Sequence, residues 1–264
     1  MSPDGFASFA SFARELASRA RNETLTGFGQ RHAAENKSGS GAFDPVTEAD
    51  RAAERVMRSL IAERFPDHGI SGEEFPGKAG AGRFEWSLDP IDGTRSFICG
   101  LPSWTTLIAL LENGEAVLGL IDAPILDETY IGSPAGALLV RGGEQTAIRT
   151  SGCSALSEAR LSTTDPFLFS GGTLAAFDRL RRACQVTRYG HDGYAYARIA
   201  AGSLDLVVES GLKPHDYNAL EPLVRAACGH IGNWNGGADL SAGAIVAAAT
   251  RKLYEAAVDL LAAE

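Results

Sequence analysis

Phe6, Phe9, Ala13, Leu16, Ala17 and Ala20 recur at the three- and four-residue intervals that line one face of a helix, predicting an opening amphipathic helix. A polar, glycine-containing stretch follows from Asn36 to Gly41. A second helix is expected from Thr47, where Thr47 and Asp50 form a capping-box-like pair; its buried face is Ala53, Val56, Met57, Leu60 and Ile61, and Pro66 closes it. From Glu85 onward the pattern turns strand-like: Phe84–Leu88, Thr105–Leu111, Ala116–Ile121, Thr129–Ile131 and Ala137–Val140. Asn113-Gly114 and Gly142-Gly143 separate several of these runs, as in an antiparallel meander. Beyond about residue 150 helices and strands alternate. The pattern predicts a helix over Gly193–Ala201, a strand over Leu204–Glu209 and a helix over Asp216–Cys228. A strand over Ala244–Ala248 and a last helix over Arg251–Ala263 follow. No internal repeat or low-complexity linker interrupts the 264 residues. They read as two tightly packed lobes, an α+β half over residues 1–148 and an α/β half over 149–264.

Composition narrows the function. The chain is 45% hydrophobic and 22% charged, an ordinary globular balance, with a net charge of -9. Nucleic acid is a poor partner for such a surface, since phosphate backbones are met by Lys and Arg. A phosphate ester remains open if a metal ion supplies positive charge locally. Cys99, Cys153, Cys184 and Cys228 are far apart and form no C-x-x-C pair, which fits reduced thiols rather than a zinc site. No basic start precedes an unbroken apolar run, and no stretch of about 18 apolar residues occurs. The expectation is a cytoplasmic protein with no membrane partner.

The chemistry concentrates in Asp89-Pro90-Ile91-Asp92-Gly93-Thr94. Two carboxylates stand three residues apart at a strand end, ahead of a helix expected to start near Thr94. Pro90 holds the backbone extended, and Gly93 lets the chain turn and a ligand approach. The amides of Gly93, Thr94 and Arg95 then face an anion, beside carboxylates suited to a hard cation. Taken alone, the run also reads as a strand-to-helix turn with capping aspartates. Gly72-Glu73-Glu74 alone reads as a surface charge pair, and Asp50 and Asp216 alone as helix caps.

In combination and in order, these segments resemble the inositol monophosphatase family of the lithium-sensitive phosphatase superfamily. The resemblance rests on Asp44-Pro45-Val46-Thr47-Glu48-Ala49-Asp50, Gly72-Glu73-Glu74, Trp86 to Phe97, and Asp216 with its helix. It implies a layered α-β-α-β-α sandwich of the inositol monophosphatase and fructose-1,6-bisphosphatase type, usually homodimeric. It also implies a phosphomonoesterase using roughly two or three Mg²⁺ ions per site. Glu73, Asp89, Asp92 and the Ile91 carbonyl oxygen would hold the first ions, and Asp216 would join Asp89 and Asp92 at a second position. Gly93 and Thr94 would donate backbone hydrogen bonds to the phosphate, and Asp50 and Thr94, with Glu73 nearby, would orient the attacking water. No serine, cysteine or histidine nucleophile is required; of the histidines, His191 and His215 flank the expected cleft. Lys37 stands near a family lysine at a different spacing and is left out of the site.

The choice of ester leans on finer likeness. Asp92 to Pro102 with Trp104 to Leu110, His191 to Tyr196, and Asp205 to Asp216 look like the histidinol-phosphatase branch. Histidinol phosphate carries an ammonium group, and Asp192 and Glu209 are its candidate carboxylate partners. His215 stands where inositol-type members place Trp, and Cys228 where glycine is common. The alternatives are an inositol-1-phosphate or broad sugar-phosphate phosphatase, and a non-catalytic metal-binding protein of the same fold. The last would be marked by loss of a ligand, yet all the implied ligands are present.

Overall fold

The computed structural model describes residues 3–29, 35–36 and 45–263. Asp44, Lys37 and most of the Asn36–Gly41 stretch lie outside them. The two opening helices, α1 (Pro3–Gly27) and α2 (Glu48–Arg64), flank a two-residue antiparallel pair, β1 (Glu35–Asn36) and β2 (Pro45–Val46). A seven-stranded sheet follows in sequential order: β3 (Gly69–Gly72), β4 (Phe84–Asp92), β5 (Thr105–Glu112), β6 (Glu115–Ala123), β7 (Glu128–Ser133), β8 (Gly136–Arg141) and β9 (Glu144–Ala147). Only its first pair, β3 with β4, is parallel. The short helix α3 (Thr94–Ile98) interrupts the walk from β4 to β5.

The second sheet is mixed. It comprises β10 (Arg160–Thr163), β11 (Val186–Tyr189), β12 (Leu206–Glu209), β13 (His230–Asn233) and β14 (Ile245–Ala248), in the order β11-β10-β12-β14-β13. Helices α4 (Gly171–Ala183), α5 (Asp192–Ala200), α6 (Pro214–Ala226) and α7 (Arg251–Ala262) are threaded through it.

Burial explains the layering. On β5, Leu107, Ala109 and Leu111 point to one face of the first sheet, and Ile108 and Leu110 to the other. All are buried because helices cover both faces, and the strand therefore reads as a continuous apolar run. Leu16, Met57 and Ile61 of α1 and α2 close one face, and the aromatic group of Phe9, Phe12, Phe65 and Trp86 fills the gap at its edge. Helices α5 and α6 fill the space between the sheets, with Tyr196, Leu220 and Leu223 against Ile121 and Tyr130 on one side and Val207 and Ile245 on the other. Helices α4 and α7 cover the outer face of the second sheet through Phe177, Leu180 and Leu253. The order is α-β-α-β-α, as expected.

Helix α6 lies unusually close to the first sheet. Gly119 and Gly132 are directly paired across β6 and β7. A Cβ on Gly119 would stand 2.0 Å from the Ala219 carbonyl oxygen, and one on Gly132 2.3 Å from Leu223 Cα. These glycines form a bare patch that lets the helix backbone rest on the sheet.

Several expectations need correction. Strand β4 does not stop at Leu88 but continues through Pro90 to Asp92. Val56 and Leu60 are only partly buried, whereas Ala53, Met57 and Ile61 are wholly so; Glu54 shares the buried face. Strands β1, β2, β3, β9, β10, β11 and β13 and helix α4 were not foreseen. Among the described residues no helix is long and apolar enough to cross a membrane.

Cys228 follows α6 with φ 67°, the left-handed region where glycine is favoured after a helix. Its side chain is exposed and unbridged. Cys228→Gly is expected to stabilise the protein by about 0.5–1 kcal/mol, because relief of backbone strain exceeds the extra chain entropy. Thermal or urea unfolding checks this; a loss of stability would show that the left-handed turn carries no strain.

Candidate functional site

Strand pairing brings the two aspartates to one face. Asp89 faces Leu107 and Asp92 faces Thr105, so β4 spends three steps where β5 spends two. Without that bulge, residues three apart would point to opposite faces; with it, both carboxylates point toward α5 and α6. Pro90 is tolerated in the strand because it sits at the bulge. The turn is tied internally: Ile91 N–H donates to Asp89 Oδ1 at 3.1 Å, Thr106 Oγ1 to the Pro90 carbonyl at 2.7 Å, and Thr94 Oγ1 to the Ile91 carbonyl at 3.0 Å. Gly93 then turns the chain into α3 with φ 83° and ψ 41°.

Glu73 arrives from the parallel neighbour. It follows β3, and its N–H donates to the Leu88 carbonyl at 3.2 Å, one residue before Asp89. Buried Glu54 braces this turn, accepting from Glu74 N–H at 2.8 Å and from Arg58 Nε at 2.7 Å. Gly72 permits the approach: a Cβ there would stand 2.2 Å from Glu54 Oε1.

Asp216 comes from the other half of the chain, in the first turn of α6, and accepts from Lys213 N–H at 2.7 Å. Asn218 Nδ2 donates to Ser87 Oγ at 3.2 Å and pins this end of the helix to β4. Asp89, Asp92 and Asp216 each present an oxygen, and these oxygens lie within 4.8 Å of one another. Burial, followed by the neighbouring charges of Glu73, Asp92 and Asp216, drives the Asp89 carboxyl well above its ordinary range. Burial, with Asp192 and Asp216, does the same to Asp92, and burial raises Asp216. A set of hard oxygen donors that cannot all ionise without a cation fits Mg²⁺.

The opposite wall is built by α5, β12 and the residues after β10. Gly193 N–H donates to Asp92 Oδ2 at 2.6 Å, beside Thr105 Oγ1 at 2.9 Å. A Cβ on Gly193 would stand 2.6 Å from that same oxygen, so only glycine lets α5 approach the metal-ligand candidate. Asp192 lies against Gly93, and burial raises its carboxyl to about 6 despite the attraction of Arg95. Glu209 is 1% exposed; its Oε1 accepts from Thr164 N–H at 2.6 Å, while its Oε2 has no partner among the described residues. Burial pushes its carboxyl up to about 8.

A raised carboxyl gives a definite pH dependence. The native state keeps a proton on Glu209 that the unfolded chain releases, so metal-free protein should lose stability as pH rises from roughly 4.5 to 8. Glu209→Gln should flatten that part of the curve, as read by urea midpoints in EDTA; an unchanged slope would remove Glu209 as its source.

These walls enclose a cavity of about 280 Å³. Glu73, Asp92, Gly93, Thr94, Asp192, Glu209 and Asp216, all candidates from sequence, line it. Asp89 and the Ile91 backbone lie in the strand beneath it and are buried. Asp50 is wholly buried too, with Oδ2 accepting from Thr47 N–H at 2.9 Å and Thr47 Oγ1 at 2.5 Å. Its neighbour Ala49 packs on Ile91, Phe97 and Trp104, seating the start of α2 under the loop. His215 lines the cavity, but His191 turns away to Ser162 Oγ at 3.0 Å. Thr164, Tyr196 and Lys213 also line it and escaped sequence reasoning, while Arg95, which lines it too, was read only for its backbone amide. Lys213 had a signal in its place three residues before Asp216; Thr164 had none.

The comparisons agree with this architecture. The model of the inositol monophosphatase family matches residues 7–263. The chloroplastic bifunctional phosphatase IMPL2 of Arabidopsis thaliana is 47% identical over 196 residues, 74% of this chain and 56% of that protein, so the match spans little more than half of the relative. A histidinol-phosphatase of Chlorobaculum parvum is 34% identical over 226 residues, 85% of each chain. The solved structure of an inositol monophosphatase from Zymomonas mobilis superposes with a TM-score of 0.86 at 38% identity, covering 99% of both chains. With its fold, its acidic cluster and this match across nearly the whole sequence, the chain belongs to the inositol monophosphatase family.

Proposed function

We propose that the protein is a Mg²⁺-dependent phosphomonoesterase that converts L-histidinol phosphate to L-histidinol and phosphate. The observation that carries the phosphatase reading is the convergence of carboxylate oxygens of Asp89, Asp92 and Asp216 within 4.8 Å, with Asp92, Asp216 and Glu73 lining the cavity and Asp89 beneath it. Glu73, Asp89, the Ile91 carbonyl, Asp92 and Asp216 would hold the ions. Bound there, Mg²⁺ supplies Lewis acidity and offsets charge on the phosphoryl oxygens.

The remaining roles belong to the chain. Gly93 and Thr94 backbone amides hold phosphate oxygens. Thr94 and Glu73 orient a water toward phosphorus, with Asp50 at the start of α2, whose Ala49 packs under the loop. The water oxygen forms the new P–O bond as the bond to the alcohol breaks in line, and the proton the water gives up passes to the departing alkoxide. Gly193 N–H and Thr105 hold Asp92 in its binding rotamer, which makes the carboxylate preorganised rather than mobile.

The ester assignment is supported by the carboxylates left over. Asp192 and Glu209 line the cavity but are not among the carboxylates assigned to metal, and would meet the ammonium group of histidinol phosphate. Likeness to the C. parvum histidinol-phosphatase supports the same choice. An inositol ester is the second reading, favoured by likeness to the Z. mobilis enzyme along the whole chain.

Initial rates of phosphate release from L-histidinol phosphate and myo-inositol 1-phosphate, side by side, test the assignment. A kcat/KM at least about tenfold higher for histidinol phosphate is expected. Preference for the inositol ester would overturn the substrate while leaving the phosphatase reading in place. The expected homodimer is checked on the same preparation by sedimentation equilibrium.

A further inference from the structure

Two buried polar atoms of the cavity have no partner among the described residues: Glu209 Oε2 and the Tyr196 hydroxyl. Each side chain is 1% exposed, and both line the same cavity. Tyr196 sits one turn after Gly193 on α5, so the helix that donates to Asp92 with its first turn also sends this phenol into the cavity wall. The carboxylates of Glu209, Asp92 and Asp216 all act on the hydroxyl, which burial already holds neutral.

Leaving a phenol and a carboxylate oxygen buried without hydrogen bonds is unfavourable in a protein that otherwise ties its site together closely. Tyr254 shows the ordinary case, its hydroxyl donating to the Asn233 carbonyl at 2.7 Å. The wall that carries Tyr196 is acidic, with Asp192 beside Asp92 and Glu209 outside the group of carboxylates gathered for metal. A neutral hydroxyl on a ligand could satisfy both atoms but would not offset the charge that Glu209 carries once its raised carboxyl ionises. A protonated amine satisfies both and compensates it, since it has several N–H donors and a positive charge.

We propose that the Tyr196 hydroxyl and Glu209 Oε2 form one recognition pair for a protonated primary amine on the alcohol side of the substrate, with Tyr196 a specificity-determining residue. The pair rests on the phosphomonoesterase reading of the cavity but not on histidinol phosphate as the ester. The amine donates one hydrogen bond to the carboxylate and one to the phenol oxygen. The phenol thereby favours the amine over a bare methylene at the same position.

The test compares L-histidinol phosphate with its deamino counterpart, 3-(imidazol-4-yl)propyl phosphate, using the Mg²⁺-loaded wild-type enzyme and Tyr196→Phe. The wild type should prefer the amine, and the variant should lose about tenfold of that preference, mainly through KM. Ligand-free Tyr196→Phe should melt no lower than wild type, because no internal hydrogen bond is removed. Tyr254→Phe should melt lower. Glu209→Gln provides a second route to the same loss of preference should Tyr196→Phe fold poorly. No amine preference in the wild type, or the same preference in both Tyr196→Phe and Glu209→Gln, overturns the proposal. A win for inositol 1-phosphate in the earlier comparison overturns the substrate assignment alone, and the amine ratio still judges Tyr196.

Discussion

Asp92→Asn should lower kcat for phosphate release by about three orders of magnitude at saturating Mg²⁺, because the proposed site would use Asp92 as a ligand at both ion positions. The loss should arise without unfolding. An Asn oxygen can still accept from Gly193 N–H and Thr105 Oγ1, which hold Asp92 Oδ2 at 2.6 and 2.9 Å. In EDTA the sign of the stability change should reverse expectation. Asp92 is buried against Asp192 and Asp216, and its carboxyl is driven upward by them. Removing its charge relieves repulsion, so the metal-free variant should melt about 2–4 °C higher than metal-free wild type, for a gain of about 1 kcal/mol. Added Mg²⁺ should then raise the melting point of the wild type more than that of the variant. Wild-type turnover in Asp92→Asn would sink the assigned role. A lower melting point in EDTA would mean that the hydrogen bonds of Asp92 outweigh its repulsion.

The second large effect lies away from the cavity. Gly132→Ala puts a methyl 2.3 Å from Leu223 Cα and 2.6 Å from Leu223 N, atoms of the α6 backbone that no side-chain rotation can move. Either α6 lifts from the sheet or β7 bends, at a cost of about 3 kcal/mol. Gly119→Ala should behave alike, since its methyl would meet the Ala219 carbonyl. The two should be less than additive, because they face each other across β6 and β7 and the same lift relieves both. Asp216 rides on this helix, so the variants should also need more Mg²⁺ for half-maximal activity. Urea midpoints and Mg²⁺ titrations read the two effects separately. Unchanged stability would show that the patch has slack which the backbone distances deny.

The sequence made some of this visible because the chemistry is local. Asp89, Asp92, Gly93 and Thr94 fall within one hexapeptide, so their candidacy could be read before any tertiary structure. The opening helices were legible because their apolar stripes face a single sheet. The bulge that turns Asp89 and Asp92 to one face was not, since it exists only in register with β5; Pro90 within an apolar run was its faint signal. Strand β11 is an exposed edge with no apolar alternation, so nothing in Val186–Tyr189 marked it. The pairing of Gly119 with Gly132, and the meeting of Tyr196 and Glu209 in one cavity lining, are purely tertiary. Each glycine alone reads as a weak strand residue, and Tyr196 alone as core.

A Mg²⁺ titration of chelator-treated wild-type protein, followed in parallel by phosphate release and by melting temperature, addresses the central claim most directly. Activity absent in EDTA and returning over the same Mg²⁺ range that raises the melting point is the predicted result. Phosphate release that persists in EDTA, or Mg²⁺ that restores neither activity nor stability, would contradict a metal-dependent phosphatase site at Asp89, Asp92 and Asp216.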